Sequence, residues 1–417
     1  MTKKEYSKLL FERLDVNHKG IKLNKVMCAL IMFYSAGNYK VLGSWKTLSR
    51  FIFSLDTTEI EKDDLNSCLV TFGFYPTRND HQELMNTVVR RLGNDVSYFD
   101  VSRWRYNKIS ISPRNVLKSL ANVFTRLKGI DISFKNKLLF AANLTYYINT
   151  IDRLGKIDAT NVKKYLCLAN SLDIENLLTQ WLSARGVKTY SLMEGVYLIQ
   201  DSELPIANIA FENLTSDIQL CWGQYSKDEF IKFGYPPERM DIAGYPKDVK
   251  GQALKNGNPF KKGVVLLSQY IMETQNLRLI DILSKYADRQ EFYLKLHPSL
   301  DYGKYAKLAQ ERGMVMVPKN MTVNDCVDNT RFDFAIAISS SAYYEALMRG
   351  LPCFRYYDGS YSLMAGCDDL FDDEESYKRQ VDRILALPLS EHQKEIDDVL
   401  EYCVGWNIDR YKEILNA

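Results

Sequence analysis

Short apolar runs and helical segments alternate along most of this 417-residue chain, and the alternation occurs twice. It runs from Cys68 to Gly244 and again from Gly263 to Tyr357, on either side of a segment without apolar rhythm. Strands that alternate with helices of this length predict a parallel sheet covered by helices. We therefore expect an α/β chain with two Rossmann-like, doubly wound domains that face a cleft.

Composition sets the boundaries between these parts. Residues 1–66 carry apolar side chains at three- and four-residue spacing, which predicts a helical extension. Residues 67–247 form the first α/β domain, and residues 246–262, rich in Lys, Gly, Asn and Pro, form a linker. Residues 262–417 form the second domain, which ends in amphipathic helices over 374–388 and 390–416.

The expected strands of the first sheet include CLVTFGF (68–74), KLLFAANL (137–144) and VKTYSLMEG (187–195). The segment IENLLTQWLSARG (174–186) is the helix before the third of them. Open α/β sheets bind ligands at the carboxyl ends of their strands. An active site is therefore expected between the two domains, where two such edges meet.

The charge distribution is uneven although the net charge is only +2. Residues 1–50 hold ten Lys or Arg and three Asp or Glu, and residues 101–137 hold nine and one. Such a basic front half suits an anionic acceptor or an anionic membrane face, and a solvated basic surface without a partner is the alternative. No recognition motif accompanies the charge, so we expect no nucleic-acid partner.

Targeting and metal-binding signals are not found in the sequence. The longest apolar runs, such as Val26–Tyr34, fall short of the roughly 20 residues that cross a bilayer, and residues 1–10 lack an apolar signal core. The eight cysteines are scattered, without a CxxC pair or a His at metal spacing. These features predict a cytoplasmic protein with reduced thiols and no metal, with peripheral contact at the membrane left open.

The segment KLHPS (295–299) is the strongest local motif. Pro298 stops the predicted strand, so His297 is expected at its carboxyl edge, where an imidazole can donate a hydrogen bond to a phosphate. Lys295 could add a positive charge there. The structural alternative is a His that caps a turn.

A run of three serines, Ser339, Ser340 and Ser341, follows an apolar strand and precedes the helical sequence AYYEALMRG. Serines at a helix N-terminus cap it, and its N–H groups attract an anion. We expect these serines on the donor phosphate together with Ser268 and Gln269, at the end of VVLLSQ. Glu345 would accept hydrogen bonds from ribose hydroxyls, or be a solvated helix residue.

Acidic residues of the first domain are candidates for proton transfer. Glu194 ends a predicted strand, and Gly195 lets the chain turn, so Glu194 can serve as general base on an acceptor hydroxyl. An ordinary turn Glu is the alternative. Asp80 and His81 form a second acid–base pair, with Arg78 beside them on the acceptor side, and N-capping by Asp80 is the simpler interpretation.

The sequence resembles bacterial sialyltransferases and polysialyltransferases of the GT-B fold over roughly residues 67–360. The resemblance lies in the acid–Gly turn at Glu194, VVLLSQ (264–269), KLHP (295–298) and the serines followed by AYYEAL. The segment CWGQYSKDEFIKFGYPPERMDIAGYPK (221–247) is similar to the end of the first domain in a wider group, which includes capsule and lipopolysaccharide transferases for 3-deoxy-octulosonic acid (Kdo).

This resemblance implies a donor in which CMP activates an acidic sugar, with His297 and the serines on the CMP phosphate. The family's acid-acid-Gly motif reads Met193-Glu194-Gly195 here, which implies Glu194 as the catalytic base. A phosphate leaving group can be stabilised by an imidazole and a helix N-terminus, and the sequence has no Asp-x-Asp triplet, so no metal cofactor is expected. We expect inversion at the sugar, because the donor side offers no acid as nucleophile.

Three alternatives remain at this stage. A CDP-alditol phosphotransferase of the teichoic-acid or capsule type shares the HP motif, but those enzymes carry an Asp before the serines, where this chain has Ala337-Ile338. A nucleotide-sugar 2-epimerase shares the two-domain architecture. A catalytically inactive scaffold is the third, and the presence of Glu194, His297 and the serines argues against it.

Overall fold

The structure is a computed structural model that describes residues 1–73, 79–103, 108–247, 251–254 and 260–416. In these residues the chain forms two six-stranded parallel sheets, each flanked by helices. A helical module packs on the first sheet, and one apolar cluster contains both module residues and residues of the sheet and of its helix. The predicted α/β architecture of the GT-B type, with two doubly wound domains, is confirmed.

Elements before the linker belong to the first sheet, to its helices or to the helical module. In chain order they are α1 (Lys3–Arg13), β1 (Asn17–His18), β2 (Ile21–Lys22), α2 (Leu23–Val26), α3 (Cys28–Ser35), β3 (Phe53–Ser54), α4 (Thr58–Glu61), β4 (Cys68–Phe72), α5 (Asn79–Leu92), β5 (Val96–Asp100), β6 (Lys108–Ile109), α6 (Pro113–Arg126), α7 (Phe134–Leu154), β7 (Lys164–Leu168), α8 (Asp173–Ser183), β8 (Lys188–Leu192), α9 (Ile209–Glu212), β9 (Ile218–Cys221), α10 (Gln224–Phe233) and β10 (Met240–Ile242).

Elements after the linker build the second domain and the closing helices. They are β11 (Lys262–Leu266), α11 (Glu273–Ser284), β12 (Glu291–Lys295), α12 (Tyr302–Glu311), β13 (Val315–Met316), α13 (Val323–Asn329), β14 (Phe334–Ala337), α14 (Ala342–Met348), β15 (Cys353–Tyr356), β16 (Leu370–Phe371), α15 (Glu374–Ala386), α16 (Leu389–Cys403) and α17 (Arg410–Asn416). Short 3₁₀ helices include Tyr39–Leu42, Trp45–Ile52, Pro205–Asn208 and Tyr270–Met272.

The first sheet has the strand order β10-β9-β8-β7-β4-β5. All five residues of β4 are buried, as expected for a parallel strand with both faces covered. The order reverses between β4 and β7, because β5 continues on one side of β4 and the later strands on the other. This reversal opens a crevice at the carboxyl ends of β4 and β7.

The expectation of a strand at residues 137–144 is wrong. These residues lie inside α7, a helix of 21 residues that begins where the Ser133 side chain accepts the N–H of Asn136. Its middle is buried nearly all round, so the apolar run lacks the one-sided spacing that marks a surface helix. The missing strand is β7, formed by residues 164–168, a run of five residues that the prediction passed over.

The helical module combines the elements from α1 to α4 with α6, α7 and the short strand pair β3 and β6. The 3₁₀ helix Trp45–Ile52 and α6 both pack along α7, which forms the centre of the module. The module therefore extends beyond the predicted helical segment of residues 1–66 to include residues inserted between β5 and β7.

The second sheet has the order β13-β12-β11-β14-β15-β16. Its reversal lies between β11 and β14, so the loops after these two strands border the second crevice. The loop after β12 lies one strand further on, about 10 Å from the end of β14 at the usual strand spacing. The segments that carry Ser268, Ser339 and His297 thus share one edge.

The last two helices return to the first domain, where α16 packs on α10 and α17 on α5. The Tyr411 hydroxyl donates to the carbonyl of Gly244 at 2.8 Å. Gly244 has φ +84°, and a Cβ there would lie 2.9 Å from the Asn407 nitrogen, so the close packing requires glycine. The predicted helix over 390–416 is divided into α16 and α17 at this crossing.

Candidate active site

Glu175 closes the crevice of the first sheet. Its side chain is 1% exposed, its Oε1 accepts the N–H of Leu168 at 3.0 Å, and it also accepts the N–H of Gly73. Those two N–H groups belong to the end of β7 and to the residue after β4. A Cβ on residue 73 would lie 3.0 Å from the Glu175 Cγ, so glycine permits the approach. The Glu175 carboxyl group thus connects the ends of β4 and β7, the two strands between which the strand order reverses.

The turn between β7 and α8 is strained. Ala169 has φ +52° and Asp173 has φ +30°, both in the left-handed region that costs a residue with a Cβ roughly 1–3 kcal/mol. Burial raises the pKa of Asp173 to about 6, although the charge of Arg50 acts to lower it. Strain of this kind persists where the surrounding structure over-determines the backbone, and it is concentrated at functional sites.

Glu194 follows β8, the strand next to β7, and it lies within electrostatic reach of Glu175. Burial raises the pKa of Glu175 well above its usual range, and the charge of Glu194 raises it further. Burial likewise raises the pKa of the Tyr197 phenol, and the Glu194 charge again adds to the effect. Glu194 therefore belongs to a small cluster in which the Glu175 carboxyl and the Tyr197 phenol favour their neutral forms.

The turn that carries Glu194 is fixed from both domains. The indole N–H of Trp222 donates to the carbonyl of Met193 at 3.1 Å. The N–H of Val196 donates to the Oγ of Ser341 at 3.0 Å, and a Cβ on Gly195 would lie only 2.8 Å from that oxygen. Gly195 is thus required for close approach between the domains, and Glu194 lies two residues from a direct contact with the serine segment.

A pH-dependent gain in stability is expected from Glu175→Gln. The raised pKa means that the folded state binds a proton more tightly than the unfolded state, so the wild type loses stability as the pH rises above the unfolded value of about 4.5. Gln cannot ionise and can still accept an N–H bond. The melting temperature of the variant relative to wild type should therefore increase between about pH 4.5 and pH 8.

Thermal melts over that pH range test this expectation. The exposed Glu401→Gln controls for the loss of one negative charge. Glu175→Ala should melt lower than Glu175→Gln at every pH, because two buried N–H groups lose their acceptor, at about 1–3 kcal/mol each. Equal pH profiles for wild type and Glu175→Gln would contradict the assignment.

His297 is held in one orientation by Ser299. The backbone N–H of Ser299 donates to the His297 Nδ1 at 3.1 Å, and the Ser299 hydroxyl lies 2.8 Å from the same nitrogen. An Nδ1 that accepts from a backbone N–H carries no proton, so the neutral imidazole has its proton on Nε2. His297 therefore presents a donor at the carboxyl edge of β12.

Of the two predicted site residues near this histidine, Lys295 is buried and Pro298 is exposed. The Lys295 side chain is 8% exposed, and its Nζ donates to the carbonyl of Leu296 at 3.1 Å. Burial lowers the pKa of this lysine, and the nearby Cys326 acts in the opposite direction. The ammonium group thus lies in the protein interior. Strand β12 ends at Lys295, and Pro298 is exposed three residues beyond that end.

The three serines make three different contacts. Ser339 Oγ donates to the carbonyl of Ser362 at 3.1 Å, and Ser340 Oγ accepts the N–H of Ala342 at 3.3 Å. Ser341 is the N-cap residue by position, but its hydroxyl makes no capping bond and instead accepts from Val196 of the other domain. The segment therefore links helix α14, the first domain and the loop that contains Ser362.

In the loop after β11, one candidate residue is buried and hydrogen-bonded and the next is exposed. Ser268 is buried, and its backbone exchanges two hydrogen bonds of 2.9 Å with the side chain of Asn276, which is fully buried. Gln269 is exposed. The N–H of Tyr270 donates to Ser299 Oγ at 3.1 Å, so Ser299 joins this loop to the His297 loop.

Residues 357–369 form the loop that contains Ser362, and a buried ion pair organises it. The Nε of Arg355 lies 2.7 Å from Asp369 Oδ1, and both side chains are at most 4% exposed. The other guanidinium nitrogens donate to the carbonyls of Met364 and Cys367. At its tip Ser362 accepts the N–H of Asp201 at 2.8 Å, so the loop spans the gap between the domains.

Asp80 and His81 lie in the first turn of α5, 4.0 Å apart between Oδ2 and Nε2, and Arg78 lies outside the described residues. His81 is buried. Burial raises the pKa of Tyr245, and the charges of Glu345 and Asp80 raise it further, which brings these two acids from opposite domains to the same ring. Glu345 is half-buried in α14.

The structure therefore brings Glu194 and the serine segment together and places His297 and Ser268 on adjacent strand ends of the same edge. Sequence reasoning missed the residues that support them: Glu175, Trp222, Asn276, Ser299 and Arg355. Within the described residues no group of three or more His, Cys, Asp or Glu side chains could hold a metal ion. In the same residues, no helix is both long and apolar enough to cross a membrane.

Comparisons with known proteins give structural likeness only. No protein-family model matches the chain, and no curated protein does. A lipopolysaccharide outer core galactosyltransferase, WaaB, is 11% identical with a TM-score of 0.49, over 84% of this chain and 99% of that chain. The UDP-GlcNAc 2-epimerase of Methanocaldococcus jannaschii, in complex with UDP-GlcNAc and UDP, gives the same values.

The UDP-GlcNAc 2-epimerase of Neisseria meningitidis bound to UDP-GlcNAc is 10% identical with a TM-score of 0.45, over 84% of this chain and 98% of that chain. A transferase and two epimerases thus match this chain about equally. Since one fold serves many chemistries, likeness of this degree transfers no activity to the chain.

Proposed function

We propose that the chain is a glycosyltransferase that transfers an acidic sugar, of the sialic acid or Kdo type, from a CMP-sugar to a surface-glycan acceptor. The hydrogen bond from Val196 to Ser341 is the observation that carries the proposal. This bond places the turn that carries Glu194, in the first domain, next to the serine segment of the second domain. The cytidine nucleotide and the acidic sugar are supported by the sequence resemblance to bacterial sialyltransferases.

The donor phosphate is assigned to the edge of the second sheet. His297 offers its Nε2 proton there, and the hydroxyls of Ser340 and Ser341, which accept N–H groups in the structure, can each donate a proton to the phosphate. A departing CMP gains negative charge on its phosphate as the bond to the sugar breaks. Donors fixed in advance around that charge stabilise the transition state without a metal cofactor.

The acceptor hydroxyl is assigned to the side of Glu194. The carboxylate takes the hydroxyl proton as the oxygen attacks the anomeric carbon from the face opposite the phosphate, which inverts the configuration. The turn is fixed by Trp222 and Ser341, so the base is held in place before the substrate arrives. Burial raises the pKa of the neighbouring Glu175 carboxyl, which favours its neutral form and so disfavours a second negative charge beside the base.

Separate incubation with CMP-Neu5Ac, CMP-Kdo, CDP-glycerol and UDP-GlcNAc tests the donor. Release of CMP from one of the first two, in the absence of added metal and in the presence of a chelator, is the expected result. Glycerol phosphate transfer from CDP-glycerol would replace the proposal by an alditol phosphotransferase. Interconversion of UDP-GlcNAc with its 2-epimer would replace it by an epimerase.

An anionic acceptor is expected, with peripheral contact at a membrane, because of the basic segments 1–50 and 101–137. Long-range attraction between exposed charges is screened over about 8–10 Å at physiological ionic strength. The KM for an anionic acceptor should therefore rise several-fold between about 50 and 300 mM salt, with kcat little changed. A neutral acceptor of the same length is the control, and a salt-independent KM for both would contradict the idea.

A further inference from the structure

Three large aromatic side chains project from the helical module. Tyr39, Trp45 and Phe134 expose 59%, 56% and 67% of their surface. Large aromatic groups are usually buried or half-buried, and three of them exposed on one module mark an interaction surface. Side chains exposed to this extent project outward and do not line a groove, so an enclosed peptide or small ligand is a poor fit.

Contacts around the first turn of α7 bring the three residues together. The ring of Tyr39 lies 5.0 Å from the ring of Tyr34, whose hydroxyl accepts from Asn136 at 3.2 Å. The Nζ of Lys135 lies 5.4 Å from the ring of Trp45. Since Phe134, Lys135 and Asn136 are consecutive, all three exposed rings surround one helix end.

Basic residues accompany the aromatic ones. Residues 37–50 contain three basic side chains and no acidic one, and residues 128–137 contain three lysines and one aspartate. Lys40, Lys46 and Lys135 are exposed, and each is the next residue in sequence after one of the three aromatic residues. We call the six residues together the aromatic–lysine surface: Tyr39, Lys40, Trp45, Lys46, Phe134 and Lys135.

We propose that the aromatic–lysine surface docks this chain on an anionic lipid bilayer. Trp and Tyr rings favour the boundary between headgroups and acyl chains, and Phe enters the apolar region beyond it. Lysines beside them keep their ammonium groups at the headgroups, where anionic lipids attract them. A protein partner could use the rings, but the surplus of six basic over one acidic residue favours a polyanionic surface.

The same module connects this surface to the active-site edge. Trp45 begins a 3₁₀ helix whose residue Arg50 acts electrostatically on Asp173, at the start of α8. A 3₁₀ helix rises about 2 Å per residue, so these two ends are only about 10 Å apart along it. Docking would therefore hold the acceptor side of the cleft close to the bilayer, where a lipid-linked acceptor is presented.

Sedimentation of the full chain with lipid vesicles tests the docking. Wild type is expected to sediment with vesicles of phosphatidylcholine mixed with phosphatidylglycerol, less with phosphatidylcholine alone, and less at high salt. Y39S/W45S/F134S and K40E/K46E/K135E should each lower the vesicle-bound to free ratio by about tenfold or more. Thermal melts confirm that each variant is folded.

Matched controls use exposed residues of the closing helices and the second domain. L385S/L389S removes apolar side chains that are 47% and 46% exposed, and K307E/K378E/K412E reverses three exposed lysines. Both should bind vesicles like wild type. The proposal is overturned if wild type stays in the supernatant with every lipid mixture, or if both surface variants sediment as wild type does.

A soluble acceptor separates this proposal from the transferase activity. Docking does not depend on which donor the chain uses, so Y39S/W45S/F134S should turn over a soluble acceptor at the wild-type rate. Loss of vesicle binding with unchanged turnover supports docking through this surface. Vesicle binding by a chain that releases no nucleotide from any donor would support docking and contradict the proposed function.

Discussion

Replacing Glu194 with Gln is expected to lower the turnover number for sugar transfer by about 10³-fold, within the 10²–10⁴ range for the loss of a general base. Gln has nearly the same shape but takes no proton from the acceptor hydroxyl. The KM for the donor should change less than about threefold, because Glu194 belongs to the acceptor side of the cleft. Steady-state nucleotide release with saturating acceptor measures both parameters.

Glu203→Gln is the matched control for this substitution. Glu203 is exposed on the segment that follows the Glu194 turn, so its replacement removes the same charge nearby without altering the turn. We expect wild-type turnover from it. If Glu194→Gln retained turnover within about fivefold of wild type and stayed folded, the base would have to be another acid, and Asp80 at the start of α5 would be the first to replace.

The positions of the candidate site residues were predictable because strand ends can be read from sequence. An apolar run that stops at Pro298 or at three serines places these residues at a carboxyl edge, and the domain count then brings two edges together. That logic located Glu194, His297 and the serine segment. It could not assign Ser341 its partner, because the bond to Val196 joins residues 145 positions apart.

The supporting residues were not predictable from local pattern. Glu175 lies in the first turn of an amphipathic helix, where an acid is usually solvated, and only the fold shows that it accepts N–H groups from two strand ends. Trp222 acts through one hydrogen bond to the Met193 carbonyl, and Asn276 acts through two hydrogen bonds to the backbone of Ser268. Ser299 alone gave a signal, since a serine two residues after a histidine can reach its Nδ1.

The error at α7 has a physical cause. A helix buried on all sides has an apolar run without helical spacing, and a short window of such a run is indistinguishable from a buried strand. Length decides such cases, and the run from Phe134 to Leu154 is far too long for one strand. A prediction that places a strand at residues 137–144 needs no further strand before residue 187, so it misses the strand at residues 164–168.

Replacing His297 with Ala is expected to lower the turnover number by about 10²–10³-fold, as the loss of one fixed donor to a developing negative charge does. Nearly all of the effect should appear in kcat, since the charge on the phosphate grows only as the sugar bond breaks. A second donor, in which a better leaving group such as a fluorinated aryl phosphate replaces CMP, should be less affected by the substitution. Equal losses on both donors would place His297 outside the leaving-group interaction.

Ser299 offers a sharper test, because it acts only through the imidazole and the loop it joins. Ser299→Ala removes the hydroxyl next to Nδ1 and leaves the backbone N–H in place, so we expect a loss of about tenfold. In a His297→Ala background the same change should cost almost nothing, since there is no ring left to orient. A double-mutant cycle in kcat measures this difference. Additive losses would mean that Ser299 contributes through Tyr270 and the loop after β11, and that the imidazole keeps its orientation without it.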